Sequence, residues 1–395
     1  MSLWRKHYLK FFLCGLLVAG CAILSIRCND SLAARSKTRT YYIAAEDVLW
    51  DYAPSYPLNP MSGEEFTEDE KVFVDGDSED RIGRRYWKAL YRAYTDESFT
   101  APKPRPPEWE HLGTLGPVIY ASVGDTLVVV FKNSTADKIL SVHPHGLFYD
   151  KASEGTPYHD GTSDDDKVDD AVPPGAMHTY VWEVPERAGP GRGDPSSIVW
   201  IYHSHVDEPA DTNAGLIGPL IITGPGMARV DATPRDVERE IVTLFTVFDE
   251  NVSPYLDRNI AEFAPSANPQ DEDFQESNLM HAINGYLYGN VPDMTMKTGE
   301  RVRWYLIGMG TEVDLHTPHW HGNTVISGGD SYGRRSDVVE LLPASMKTVT
   351  MRPDNPGVWM YHCHVNDHID AGMVALYTVD VNDGHREASN DVSHQ

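Results

Sequence analysis

The sequence runs to 395 residues, long for one domain and sufficient for two, each able to bury a β-sandwich core. Aspartate and glutamate number 59 against 33 lysines and arginines, a formal net charge of −26, which argues against nucleic acid and anionic membrane surfaces as partners. Such a surface concentrates cations, although solubility or adaptation to salt explains most of the charge equally well.

Residues 1–35 read as a targeting segment. Arg5, Lys6 and Lys10 precede an apolar run over 11–24, followed by Ser25. That run is shorter than the roughly 20 residues of a spanning helix and suits the apolar core of a signal peptide. Val18-Ala19-Gly20-Cys21 also resembles a lipoprotein cleavage box, but the apolar residues after Cys21 fit it poorly. An uncleaved membrane anchor is a third option. Each of the three predicts export, to a secreted, periplasmic or cell-surface location. Cys14, Cys21 and Cys28 fall in this segment, so Cys363 stands alone in the body and no internal disulfide is available there.

The body divides into two copies of one pattern, expected as domains over 36–225 and 226–382, with a polar tail over 383–395. In the first, Gly124-Asp125-Thr126 opens an apolar run that precedes His143-Pro144-His145-Gly146; then come Tyr202-His203-Ser204-His205 and Ala214-Gly215-Leu216. In the second, Gly299-Glu300-Arg301 precedes His319-Trp320-His321-Gly322, followed by Tyr361-His362-Cys363-His364 and Ala371-Gly372-Met373. Between the copies, residues 224–238, with Pro225 and Pro234, read as a linker. Apolar runs of β-branched and aromatic residues, separated by Gly, Pro and Asp clusters, predict an all-β protein of two Greek-key sandwiches. No 3.6-residue periodicity is sustained outside the leader. Asn133 and Asn251 lie in N-x-S/T sequons, which matter only in a host that glycosylates.

Ten of the 17 histidines sit in four groups at equivalent points of the two copies: 143/145, 203/205, 316/319/321 and 362/364/368. On a strand, H-x-H sets both imidazoles on one face and the middle residue on the other. Cys363 then points inward, toward a site with His316, His368 and Met373: two imidazoles, one thiolate and an axial thioether, the donor set of an electron-transfer copper. In the first copy Ser204 stands for the cysteine, Leu216 for the methionine, and no histidine answers to His368. Eight histidines remain: 143, 145, 203, 205, 319, 321, 362 and 364. Six imidazoles can hold a pair of coppers and two a third, which together with the first site gives capacity for four-electron reduction of O2. The backbone joining Cys363 to His362 and His364 is a short covalent route for those electrons.

With these motifs, Asp80-Arg81-Ile82-Gly83-Arg84, Gly215-Leu216-Ile217-Gly218-Pro219-Leu220 and Met280-His281-Ala282-Ile283-Asn284-Gly285, residues 40–382 resemble the ceruloplasmin and hephaestin branch of multicopper oxidases. The resemblance implies two cupredoxin-type domains. By position, it also implies a type 2 copper at His143 and His319, one type 3 copper at His145, His203 and His364, and the other at His205, His321 and His362. It implies Fe(II) as electron donor, bound at Glu276, His281 and Asp367, with Glu312 the carboxylate a neighbouring domain contributes. It points to calcium at Asp169 and Asp170, with Asp166 a third ligand, against the alternative of a solvated acidic loop. Vertebrate members of the branch have six domains and several disulfides. With two domains and no disulfide cysteines, the analogous arrangement here is a head-to-tail homotrimer sharing its clusters between subunits. A laccase-like oxidase of phenols or aromatic amines, a cuprous oxidase, and a copper-binding or scaffold protein remain as alternatives.

Overall fold

The computed structural model describes residues 36–77, 79–311 and 314–382; the expected leader, Glu312 and the polar tail lie outside them. The first half forms β1 (Thr38–Asp51), β2 (Arg85–Tyr94), β3 (Ile119–Ser122), β4 (Thr126–Asn133), β5 (His143–Pro144), β6 (Phe148–Tyr149), β7 (Met177–Glu183), β8 (Ser197–His203) and β9 (Ile217–Thr223). The second forms β10 (Arg239–Asp249), β11 (Leu279–Ile283), β12 (Thr295–Lys297), β13 (Val302–Gly308), β14 (Pro318–Trp320), β15 (Val325–Ser327), β16 (Arg334–Ser336), β17 (Ser345–Met351), β18 (Gly357–Cys363) and β19 (Val374–Asp380).

Four sheets result. Their strand orders are β2-β1-β4-β7-β6 for sheet one, β3-β9-β8-β5 for sheet two, β11-β10-β13-β17-β15-β16 for sheet three and β12-β19-β18-β14 for sheet four. The second pair of sheets repeats the first strand for strand, with β16 added at an edge. The parallel pairs repeat as well: β1 with β4 and β3 with β9, then β10 with β13 and β12 with β19.

Alternation sets the faces. In β4, Leu127, Val129 and Phe131 are buried between residues half-exposed on the other side, the period of two of a strand with one covered face. Strands β9 and β13 are buried at every position. Burial along their whole length, that of Arg303 in β13 included, follows from having a core on each side. Leu220 and Ile222 join Phe131 and Trp182 inside the first sandwich, while Ile217 and Ile221 join Val199, Ile201, Val242, Leu244, Tyr305 and Ile307 in a separate core. That second core lies between sheets two and three and cements the halves. A third, with Trp304, Leu306, Val349 and Tyr361, fills the second sandwich. Each aliphatic side chain buried in these cores contributes about 1.5–3 kcal/mol relative to exposure.

Sheets one and four present the faces that the repeat covers elsewhere. Val358 and Met360 in β18 take the places of Val199 and Ile201 in β8, since both pairs precede the histidine that faces β14 or β5. Val199 and Ile201 are 3% and 0% exposed, but Val358 is 63% exposed. On sheet one, Met177 and Val181 take the places of Met346 and Thr350. Thr350 is 8% exposed, whereas Met177 and Val181 are 56% and 45% exposed.

The expected linker over 224–238 is packed rather than loose. Ala232 and Val237 are buried, the Thr223 hydroxyl donates to the Ala232 carbonyl at 2.7 Å, and Ala228 bridges Pro234. Helices are short, five to eight residues each among those described: α1 (Glu68–Val74), α2 (Glu208–Ala214), α3 (Leu256–Phe263), α4 (Glu272–Ser277) and α5 (Asn366–Asp370). None of the helices described is long and apolar enough to cross a membrane.

Candidate metal centres

Strand β18 ends on His362 and Cys363, with His362 opposite His319 and Cys363 opposite Pro318 on β14. The pleat turns Cys363 into the core of the second sandwich, where it is fully buried. His316, held by reciprocal backbone bonds to Leu341, and His368 on α5 converge on it. One ligand atom from each of the three lies within 4.8 Å of the others. The Cys363 Sγ is 3.5 Å from His368 Nδ1, and the Thr317 amide donates to it at 3.4 Å. Met373 is fully buried in the same core, and its carbonyl accepts from the Cys363 amide at 3.1 Å.

The donor set suits a soft, redox-active metal. His316 Nδ1 is buried and has no hydrogen-bond partner, a polar atom that calls for a ligand. Burial lowers His316 to about 3, with His368 adding to the effect, and lowers His368 as well. Both imidazoles are therefore neutral and free to donate at neutral pH. Burial raises the Cys363 thiol, so metal binding must displace its proton.

The eight remaining histidines form two quartets. In the first half, His145 Nε2 lies 3.1 Å from His203 Nε2, and the rings of His143 and His205 lie 5.2 Å apart. In the second, His362 Nε2 lies 3.1 Å from His319 Nδ1 and 3.0 Å from His321 Nε2, with the His364 ring 5.2 Å from that of His319. Ligand atoms of His319, His321 and His362 lie close enough to hold one ion. Burial lowers His145 and His362 to about 4 and His203 to about 3. Among the described residues, no hydrogen bond or ring contact links one quartet to the other. One sits on sheet two and one on sheet four, with sheet three between those sheets.

Of the residues expected to bind iron, His281 on β11 is nearly buried, its ring 5.3 Å from that of His368. Burial lowers it to about 4, His368 lowers it further, and the charges of Asp314 and Asp367 act in the opposite direction. Asp367 is exposed on α5 and Glu276 is exposed at the end of α4. With His281 they do not form a group as tight as the two above. Asp314, absent from the sequence reading, is buried and accepts from the Thr311 amide and hydroxyl at 2.5 and 2.9 Å. Its place two residues before His316 was the available signal.

The acidic loop is arranged around lysine. Lys167 Nζ lies 2.9 Å from Asp160 and 3.2 Å from Asp170. Asp169 is buried, with one oxygen accepting from the Gly155 amide at 2.7 Å and the other without a hydrogen-bond partner. Asp166 is exposed on a 3-10 turn, and the three aspartates do not gather into a metal-sized cluster.

Repeated sandwiches carrying one cysteine-centred site and two histidine quartets define a cupredoxin-type scaffold with room for several metal ions. Multicopper oxidase family models match residues 113–226 and 262–383, and the chain belongs to that family, whose cofactor is copper. Its relatives place it in the ceruloplasmin and hephaestin branch. It is 46% identical to the human protein named Ferroxidase HEPHL1, over 92% of this chain and 31% of that one. Human hephaestin is 44% identical over 87% and 29%, and human ceruloplasmin 43% identical over 86% and 30%. The chain thus spans under a third of the length of these relatives. Among solved structures, the multicopper oxidase mgLAC has a TM-score of 0.55 at 18% identity, covering 88% of this chain and 89% of that one. A blue copper oxidase from Nitrosomonas europaea has a TM-score of 0.52 at 18% identity, covering 88% and 86%. At that identity these two support the fold.

Proposed function

We propose that this chain is a copper ferroxidase, taking electrons singly from Fe(II) and passing them to O2, which is reduced to water. The observation that carries this reading is the contact between His281 and His368, which sets a substrate-side imidazole directly against the cysteine-centred site. Copper, when bound, supplies one-electron acceptance at His316, Cys363, His368 and Met373, and O2 reduction at a cluster of one type 2 and two type 3 ions. His281 and Asp367 hold substrate iron beside that site, with Glu276 and Glu312 as further carboxylates. Hard oxygen donors favour Fe(III) over Fe(II) and so make the ion easier to oxidise. Cys363 is joined through its own backbone to His362 and His364, which sit with the second quartet.

The cluster assignments draw every ion's ligands from both quartets: His143 with His319, His145 and His203 with His364, and His205 with His321 and His362. Since the quartets are apart within one chain, we propose that a second copy completes each cluster in a head-to-tail homotrimer. The open apolar faces of sheets one and four support this, because their repeat equivalents meet inside the chain. The same reading keeps domains over 36–225 and 226–382, calcium in the acidic loop, where Lys167 competes for it, and export directed by residues 1–35.

Oxygen uptake by copper-loaded protein, corrected for autoxidation, tests the substrate with Fe(II) and a simple phenol. Asp367→Ala and Glu276→Ala are expected to slow iron turnover at least about tenfold and leave phenol turnover intact. Faster phenol turnover, with the variants unchanged, would identify a laccase instead.

A further inference from the structure

The cysteine-centred site of the second half has a metal-free twin in the first. The Thr317 amide donates to Cys363 Sγ, and the Ser141 amide donates to Ser204 Oγ at 3.1 Å. The His364 amide donates to the Thr317 hydroxyl at 3.1 Å, and the His205 amide to the Ser141 hydroxyl at 3.0 Å. The Cys363 amide bonds the Met373 carbonyl at 3.1 Å, and the Ser204 amide bonds the Leu216 carbonyl at the same distance. Met373 donates to the His368 carbonyl at 2.8 Å, and Leu216 to the Asp211 carbonyl at 3.1 Å. His316 bridges Leu341 as Leu140 bridges Val172.

The four ligand positions His316, Cys363, His368 and Met373 therefore correspond to Leu140, Ser204, Asp211 and Leu216. No histidine answers to His368 in the first half: its place is taken by Asp211, seven residues after Ser204 where His368 is five after Cys363.

Two of these four positions are apolar and fully packed. The other two form a buried hydrogen bond, Ser204 Oγ to Asp211 Oδ2 at 2.6 Å, and Asp211 Oδ2 also accepts from the Asp207 amide at 3.2 Å. Burying a carboxylate is costly, and a third and fourth apolar residue would fill the same space without that cost. The costly pair sits at the one place where it touches the metal-binding strand: Ser204 is flanked by His203 and His205.

We infer that Asp211 is a positioning residue for the first-half histidine quartet. Through its bond to Ser204 it fixes the strand end in the role that a metal–thiolate bond plays at Cys363. His203 and His205 are then held at the spacing the cluster needs before any ion arrives. This rests on the reading of the quartets as copper ligands.

The test is the double variant Ser204→Ala/Asp211→Leu, which removes both partners of that bond and strands neither of them, while the Ser141 and Asp207 amides lose their acceptors. Copper per chain, the paramagnetic resonance signal of the type 2 ion, the blue absorption of the Cys363 site and thermal melting are measured on one preparation. Expected are an intact blue band, a melting transition that stays cooperative, and cluster copper bound at least about tenfold more weakly. Asp211→Asn, which keeps an acceptor for Ser204, is expected to bind copper as the wild type does. Cluster copper retained by the double variant would overturn the inference. So would loss of the blue band together with cluster copper, which marks general unfolding, or an Asp211→Asn defect as deep as the double variant's. A wild-type chain that fills its blue site but takes no cluster copper would remove the quartet reading, and this inference with it.

Discussion

Glu240 lies half-buried between two phenols, accepting from Tyr305 at 2.8 Å and Tyr120 at 3.1 Å, and burial pushes its carboxyl up to about 7. Unfolded, it titrates near 4.5. Between those values the folded chain binds more protons than the unfolded one. The group's contribution is therefore fully present below about 4.5 and is lost as pH rises to about 7. Melting temperatures of wild type and Glu240→Gln across that window check this. Wild type is expected to lose ground to the variant as pH rises, and a difference that stays constant with pH would refute it. Single residues were legible in the sequence where spacing encodes chemistry, as at Cys363, His368 and the H-x-H pairs. They were illegible where burial decides. Asn133 sits in a sequon, yet it is fully buried and its amide donates to the Lys138 and Val172 carbonyls at 2.7 and 2.8 Å, leaving no nitrogen to glycosylate.

At the level of elements, β2 and the turn after β10 are tied by Lys88 and Glu250, an ion pair with no exposure on either side. Tyr52 donates to Glu250 at 2.6 Å, and Lys88 also donates to the Asn213 carbonyl at 2.7 Å. Lys88→Met would strand a buried carboxylate between the halves. The expected loss is about 3–5 kcal/mol in denaturant unfolding, and a loss below about 1 kcal/mol would show that water or a rearrangement rescues Glu250. Strands were legible from pattern. Alternation marks β4 and a near-continuous apolar run marks β9, whereas the buried Arg303 of β13 runs against its pattern. The helices were not, because five to eight residues complete too few turns for a 3.6-residue period to emerge. The connector over 224–238 was legible as a linker from its prolines, but its packing through Ala232 and Val237 was not.

For the whole molecule, the repeat was visible in the order of its motifs, and the sheets reproduce it strand for strand. Which faces meet could not be read in one dimension. Val199 and Val358 are the same residue at equivalent points, one covered and one open. Sharing of clusters between copies has a direct check. His203→Ala disables one quartet and His362→Ala the other. Dissociated and reassembled together in equal amounts, two inactive proteins are expected to regain about a quarter of the wild-type cluster signal, the share of head-to-tail junctions at which both contributed quartets are intact. No recovery would mean that each cluster belongs to one chain. The paired scaffolds around Cys363 and Ser204 bear on biogenesis as well. Where a domain needs its ion in order to fold, metal supply and folding cannot be separated. Here the first half closes the same loop with a serine and an aspartate. In that half, loop closure is thus independent of metal supply, and only the Cys363 loop couples its closure to an ion.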